Sequence, residues 1–214
     1  MGDNMKIIIG VPCMDQVAAP FAQSLACLRK PGDVAVAMEI SSLVYTARDN
    51  LARLVISKDA DAILFLDSDM IFPPDTLERM IAHVEAGREI VSGLYFMRRA
   101  PFGPVLFDQL DQDDTGEITH HKLTTLPESR EPFEVAGIGM GCAIITKGVL
   151  LDVLLNQGAW FAPYNGVGED VAFCVRARAC GHKIWCDPTL SLGHVGQLVV
   201  NEAIWRTMGP PEGD

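Results

Sequence analysis

The sequence has little that would suit a membrane, a disulfide framework or a nucleic-acid partner. No uninterrupted apolar run approaches the roughly 18 residues that a transmembrane helix needs. The N terminus also lacks the basic region and long apolar core of a signal peptide, so we expect a cytoplasmic protein. There are 17 Lys and Arg against 28 Asp and Glu, and the net charge of −11 disfavours a long nucleic acid, which binds mainly through cationic side chains.

Three common kinds of ligand site are absent or disfavoured. The six cysteines form no Cys-x-x-Cys pair and are expected to be reduced thiols. A zinc site made of Cys174, Cys180, His182 and Cys186 is disfavoured, because the first two point to different faces of a predicted helix. No Gly-x-x-x-x-Gly-Lys-Ser/Thr loop is present. The glycines of residues 137–141 lack the dinucleotide-binding order, and instead predict close approach of the backbone to a ligand or a neighbouring strand.

The hydrophobic pattern predicts an α/β fold. Apolar runs alternate with amphipathic stretches, which is typical of βαβ units and of a mostly parallel central sheet with helices on both faces. Strands are predicted at residues 6–11, 34–38, 63–66, 89–96, 133–135, 142–146 and 183–186, and helices at 17–28, 45–57, 76–85, 147–155 and 169–179. We expect a single domain over residues 1–207 and a frayed tail at 208–214. Residues 103–132, which are rich in acidic side chains, predict a long hairpin or a mobile loop.

One predicted strand delivers two carboxylates to its carboxyl end. Residues 63–66 are all apolar, and Asp67 and Asp69 follow directly. Ligands of α/β sheets bind at this end of the strands. Two carboxylates so close repel each other unless a cation lies between them, and Mg²⁺ or Mn²⁺ commonly links one or two carboxylates to substrate phosphates. The pair predicts a divalent ion that carries a phosphorylated ligand; the alternative is a solvated turn before a helix capped by Asp75.

A second acidic pair, Glu169-Asp170, opens a predicted helix after Gly168. The helix N terminus favours an ionised carboxylate, and such a group can act as a general base on a hydroxyl nucleophile. Ordinary charge pairing at a helix N terminus is the alternative. His194 lies in a glycine-flanked turn, where it would be either structural or a further ligand of a metal already held by carboxylates.

In this order, the segments resemble the metal-dependent nucleotide-sugar glycosyltransferases of the glycosyltransferase A fold, and in particular their family-2-like members. The resemblance is carried by residues 7–11, 47–50 and 65–69, by Gly168-Glu169-Asp170 and by His194. It implies the transfer of a sugar from a nucleoside-diphosphate sugar, expected to be a UDP-sugar, to an acceptor hydroxyl. It also implies a Mn²⁺ or Mg²⁺ cofactor and an inverting reaction with a carboxylate base.

The resemblance also gives roles to the two acidic pairs and the histidine. Asp69 would bind the metal directly, Asp67 would contact the ribose or the metal shell, and His194 would complete the metal site. Asp170 would be the catalytic base, and Glu169 would lie near the acceptor.

By the same resemblance, the residues that line the donor pocket would be Val11, Pro12, Glu39, Arg48, Asp67, Ser68 and Asp69. Glu39 stands in for an aspartate that reads uracil in family-2 enzymes. Trp160 and Phe161 would form an aromatic platform for the acceptor, although either ring could instead pack in the core.

Two other functions remain open at this point. A metal-dependent nucleotidyltransferase would also use carboxylates and Mg²⁺ on an α/β sheet, but it would need more Lys or Arg on the transferred phosphate. A non-catalytic sugar-binding module could stack sugars on Trp160 and Phe161 and hold calcium with the acidic pairs. That function would leave Glu169 and Asp170 without a chemical role.

Overall fold

The computed structural model describes residues 5–113, 117–164 and 166–196. Within these ranges the strands are β1 (Lys6–Cys13), β2 (Asp33–Ile40), β3 (Ala62–Leu66), β4 (Met70–Ile71), β5 (Ile90–Leu94), β6 (Leu106–Gln112), β7 (Ile118–Lys122), β8 (Phe133–Val135), β9 (Gly137–Ile138), β10 (Cys142–Thr146), β11 (Ile184–Ser191) and β12 (Gly193–His194). The helices are α1 (Ala19–Cys27), α2 (Val44–Ser57), α3 (Thr76–Glu85), α4 (Lys147–Gln157) and α5 (Glu169–Ala179). The predicted tail at 208–214 lies outside the described residues.

A seven-stranded sheet in the order β2-β1-β3-β10-β5-β11-β8 forms the centre of the fold. Strand β1 pairs in parallel with β2 and β3, and β5 pairs in parallel with β11. Strand β10 lies antiparallel between β3 and β5, and β8 is antiparallel at one edge. The predicted mostly parallel α/β sheet is confirmed.

Helices cover both faces of this sheet, as predicted. On one face α2, α4 and α5 supply apolar side chains to a single core cluster, and α1 and α3 do the same on the other face. Helix α2 shows the reason in its sequence, because Ala47, Leu51 and Val55 recur every four residues and are all buried. Burying an aliphatic side chain of this kind contributes about 1.5–3 kcal/mol to the stability of the fold.

Strand β3 brings the first acidic pair to the edge of the sheet. All five of its residues are buried, because β1 and β10 flank it and helices cover its faces. After Leu66 the chain turns tightly: the Asp67 N–H donates to the Gly141 carbonyl at 3.0 Å, and the Met70 N–H donates to the Asp67 carbonyl at 3.1 Å. Asp67 and Asp69 are therefore held in a short, hydrogen-bonded turn.

Residues 103–132, where we expected a long hairpin or a mobile loop, include two antiparallel strands. Strands β6 and β7 pair with each other, and β6 also pairs with β9, which attaches the hairpin to the main body. Some predicted boundaries were wrong. Strand β1 was predicted to end at Val11, but it continues to Cys13 because it still pairs with β2 there. Pro12 has no N–H to donate, and it is tolerated because the pairing with β3 ends at Gly10. In the described ranges, no helix combines the length and the apolar character that a membrane crossing requires.

Candidate active site

Two cavities open at the carboxyl ends of β1 and β3. The first has a volume of about 340 Å³ and is lined by Pro12, Cys13, Met14, Ser41, Ser42, Val44, Ala47, Asp67, Ser68, Asp69 and Arg98. The second has a volume of about 460 Å³ and is lined by Arg48, Asp67, Asp69, Tyr95, Met97, Arg98, Arg99, Val105, Met140, Glu169, Asp170 and His194. Asp67, Asp69 and Arg98 belong to both walls, so the two cavities meet at the first acidic pair.

Arg48 is the buried cation that connects the two acidic pairs. Its side chain is 3% exposed, and Nη2 donates to Asp67 Oδ1 at 2.9 Å. Its Nε lies 3.5 Å from Glu169 Oε1, and Nη1 donates to the Met140 carbonyl at 3.3 Å. Burial would lower the pKa of Arg48, but the charges of Asp67 and Glu169 outweigh it and raise the pKa. The guanidinium therefore stays charged between the two carboxylates.

His194 reaches Asp69 through the small sheet formed by β4 and β12. In this sheet His194 lies opposite Met70, and the Val195 N–H donates to the Asp69 carbonyl at 2.8 Å. The imidazole Nε2 is then 3.4 Å from Asp69 Oδ2, and Nδ1 is 2.9 Å from the Phe96 carbonyl. Because Nδ1 donates to that carbonyl, the ring keeps Nε2 turned toward Asp69.

The Asp69 carboxylate faces two cationic partners. Arg98 Nη1 donates to Oδ2, the same oxygen that faces His194. The hydrogen bond to Asp69 raises the pKa of His194. Burial alone would raise the pKa of Asp69, but the hydrogen bond and charge of His194, together with Arg98, lower it. Asp69 is therefore held as a carboxylate.

Asp69 and His194 together offer a divalent cation one carboxylate and one imidazole. One carboxylate and one imidazole oriented by a backbone carbonyl are ligands that Mn²⁺ and Mg²⁺ accept, with phosphates and water completing the shell. In the described part of the chain, no three His, Cys, Asp or Glu residues gather as a metal-ligand set. Asp67, which we expected to contact the ribose or the metal shell, is paired with Arg48. The protein can thus supply two ligands here.

The second acidic pair opens α5 on the wall of the second cavity. Glu169 and Asp170 are the first residues of the helix, and Gly168 leaves room for the Asp170 carboxylate, which would lie 3.2 Å from a Cβ at that position. Asp170 Oδ1 accepts the Val171 N–H at 2.8 Å. Burial raises the pKa of Asp170, and the charge of Glu169 raises it further. A carboxylate with a raised pKa is a better proton acceptor.

Tyr95 lines the second cavity together with both acidic pairs, and its place there was not predicted from the sequence. Its hydroxyl oxygen accepts the Gly141 N–H at 3.0 Å, and a Cβ at Gly139 would lie 2.1 Å from that oxygen. The predicted close approach of the glycine segment to a neighbour is thus an approach to Tyr95. Burial raises the pKa of Tyr95 well above its usual value, so the hydroxyl keeps its proton. Tyr95 and Arg98 could have been identified as site residues from their position just after β5, whose carboxyl end lies at the same edge of the sheet as those of β1 and β3.

Sequence comparison decides which family this fold represents. The family model described as Glycosyl transferase family 2 matches residues 45–153, which is half of the chain. The chain belongs to glycosyl transferase family 2. The match covers Arg48, Asp67 and Asp69, and ends before Asp170 and His194. No curated protein sequence gives a significant match.

Solved structures agree with the fold of this glycosyltransferase. The structure of A197 from STIV is 17% identical, with a TM-score of 0.58, over 92% of this chain and 97% of that one. The structure of GalNAc-T7 with UDP, GalNAc and Mn²⁺ is 12% identical, with a TM-score of 0.63, over 92% of this chain and 45% of that one. This chain thus spans less than half of GalNAc-T7. The predicted glycosyltransferase A fold is confirmed.

Three residues expected in the donor pocket, Val11, Glu39 and Arg48, do not line the first cavity. Pro12 and Ser68 line the first cavity as expected, but Val11 is fully buried behind it. Glu39 lines neither cavity, and its carboxylate accepts a hydrogen bond from the Asn50 side-chain amide at 2.7 Å. Arg48 contacts the second cavity and not the first.

The predicted acceptor platform was wrong. Trp160 and Phe161 are buried, with exposed fractions of 1% and 0%. Trp160 Nε1 donates to the Leu150 carbonyl at 2.6 Å, and Phe161 stacks on Phe173 with 4.9 Å between ring centroids. Both rings are core residues that fill the space between α2, α4 and α5, so a sugar cannot stack on them.

Proposed function

We propose that this glycosyltransferase moves a sugar from a nucleoside-diphosphate sugar to an acceptor hydroxyl, with the donor in the first cavity and the acceptor in the second. The observation that carries the proposal is the junction of the two cavities at Asp67, Asp69 and Arg98, with Asp170 on the second cavity alone. This arrangement separates a phosphate-binding side from a proton-accepting side. Family membership favours this reaction over nucleotidyl transfer and over a calcium-dependent sugar-binding module.

The walls of the first cavity suit a nucleotide. Met14 and Val44 are 64% and 39% exposed, which offers apolar surface to a planar base. Ser41 and Ser42 supply polar atoms nearby. UDP is our first candidate, because GalNAc-T7 holds UDP in a similar fold. Glu39 does not contribute to this choice, since it lies outside both cavities.

Asp69 and His194 would hold the divalent cation, Mn²⁺ or Mg²⁺. When bound, the cation neutralises the diphosphate as it leaves. Asp67 would not be a direct ligand while Arg48 holds it, and its unshared oxygen is available to a ribose hydroxyl. Arg48 fixes the orientation of the Asp67 carboxylate, so this side chain does not have to be ordered when the donor binds.

Asp170 would be the base of an inverting transfer. It takes the proton of the acceptor hydroxyl as the acceptor oxygen bonds to the anomeric carbon. The bond between that carbon and the diphosphate oxygen breaks, and the nucleoside diphosphate leaves with the electron pair. Glu169 lies next to Asp170 and is held by Arg48, so it can accept a hydrogen bond from a second hydroxyl of the acceptor.

Calorimetry with UDP and Mn²⁺ tests the donor site. We expect UDP to bind only with the cation, and Asp69→Ala to abolish this binding while Asp67→Ala weakens it. Asp108→Ala is the matched control, because it removes an equal charge from an exposed position outside both cavities. Unchanged affinity in Asp69→Ala would remove the metal assignment. A screen of nucleotide sugars for Mn²⁺-dependent hydrolysis then identifies the donor.

A further inference from the structure

Arg98 and His194 converge on one oxygen atom. Arg98 Nη1 donates to Asp69 Oδ2, and His194 Nε2 lies 3.4 Å from that same oxygen. A divalent cation held by Asp69 and His194 needs this side of the carboxylate. The guanidinium therefore occupies part of the position that the cation would take.

We propose that Arg98 is a built-in competitor of the divalent cation, a regulation of the metal site that rests on the function proposed above. In the free protein the guanidinium neutralises Asp69, and it must leave when a cation binds. A divalent cation carries twice the charge of the guanidinium, and the two repel each other more strongly the closer they lie to the same carboxylate oxygen. Cation binding therefore includes the cost of breaking the pair between Arg98 and Asp69.

The environment of Arg98 allows this departure. Its side chain is 49% exposed, and Asp69 is the ion-pair partner that the structure gives it within the described ranges. The backbone that carries it is held separately, because the Met97 N–H donates to the Gly103 carbonyl at 2.9 Å and the Phe102 N–H donates to the Arg99 carbonyl at 2.9 Å. The side chain can thus turn away without any change in the hairpin of residues 97–103.

A bound donor would weaken the competition between Arg98 and the cation. Arg98 also lines the first cavity, where the diphosphate of the donor would lie. An anionic diphosphate there attracts the guanidinium away from Asp69. This lowers the free-energy cost of breaking the ion pair when the cation binds. The cation alone then binds weakly, and cation and diphosphate enter the site together.

Manganese binding without any nucleotide tests the competition, and it can be measured by calorimetry or by the loss of the free Mn²⁺ signal in electron paramagnetic resonance. Removing an exposed ion pair of this kind should tighten Mn²⁺ binding by about two- to fivefold, so we expect this gain in Arg98→Ala. Arg99→Ala is the matched control. Arg99 is the next residue along the chain, lines the second cavity and carries the same charge, and in the described residues it forms no ion pair with Asp69. Arg98→Gln is a second variant if Arg98→Ala melts early.

Each outcome decides the proposal. A gain in Arg98→Ala that clearly exceeds the change in Arg99→Ala supports competition for Asp69. Equal gains in the two variants would reduce the effect to long-range charge and overturn the proposal, as would unchanged or weaker Mn²⁺ binding in Arg98→Ala. Asp69→Ala distinguishes a failure of the competition from a failure of the proposed function. If this variant binds Mn²⁺ like the parent protein, the metal site of the proposed function is wrong as well.

Discussion

Arg48 and Asp67 form an ion pair of 2.9 Å that ties helix α2 to the end of strand β3. The same guanidinium lies 3.5 Å from Glu169 at the start of α5. One buried cation thus holds together two acidic motifs that are far apart in the sequence. Its Nε is buried without a hydrogen-bond partner in the described residues, so the ion pairs with the two carboxylates must compensate for it.

Arg48→Met should destabilise the fold by about 3 kcal/mol, because it leaves two partly buried carboxylates without their cation. Urea unfolding monitored by circular dichroism measures the loss. Arg53→Met is the control on the same helix, since Arg53 is exposed and lies over the Trp160 ring. If both variants lose the same stability, Arg48 does not organise the site.

Asp170→Asn should separate binding from catalysis. The loss of a positioned base typically lowers the rate by about 10²- to 10⁴-fold, while the donor site remains intact. UDP affinity and transfer rate on one preparation test this once an acceptor is known. Normal transfer by the variant would exclude Asp170 as the base and leave Glu169 as the next candidate.

The same variant should be more stable than the parent protein at neutral pH. Because the folded-state pKa of Asp170 is raised, its contribution to stability is present below its ordinary value of 3.8 and is lost as pH rises through the raised pKa. Asparagine removes this cost of a buried charge and can still accept the Val171 N–H. Thermal melting at neutral pH and at about pH 3 measures the gain, which should disappear in acid. A loss of stability at neutral pH would contradict the expectation.

His194→Ala should weaken Mn²⁺ binding and should reduce stability only within a defined range of pH. The pKa of His194 is raised above 6.5 and that of Asp69 is lowered below 3.8, so their pair stabilises the fold between these values. This stabilisation is lost as pH rises through the pKa of His194 or falls through that of Asp69. Melting temperatures at about pH 5.5 and about pH 9, in the presence of a chelator, measure the difference. An equal loss at both values would indicate packing alone.

Gly139→Ala should destabilise the fold by about 1–3 kcal/mol, because a Cβ there overlaps the Tyr95 hydroxyl and Val105. Tyr95→Phe removes the nearer of these atoms, so the two changes should be coupled in a double-mutant cycle. Gly148→Ala is the control, since its Cβ would meet only ordinary contacts in α4. If the two changes in the free energy of unfolding are strictly additive, contact with the Tyr95 hydroxyl is not the reason for a glycine at position 139.

Local patterns predicted those parts of the site that follow directly from one strand or one helix. Asp67 and Asp69 follow an apolar run, and Asp170 lies two residues after Gly168 at a helix start, so all three could be identified from neighbouring residues. The role of Arg48 could not, because it depends on two partners that meet only in the folded chain. The burial of Trp160 depends in the same way on remote residues, including Arg176, whose Nη1 donates to the Trp160 carbonyl at 2.9 Å.

The antiparallel direction of strand β10 could not be predicted from the sequence either, because an apolar run has the same pattern in both directions. Its position between β3 and β5 has a consequence for biosynthesis. Until residues 142–146 leave the ribosome, the fully apolar β3 has a partner on one side only, and its other edge can pair with any extended chain. The nascent protein therefore has an open sheet edge from the synthesis of β3 until that of β10, and we expect fragments that end before β10 to aggregate instead of forming a smaller fold.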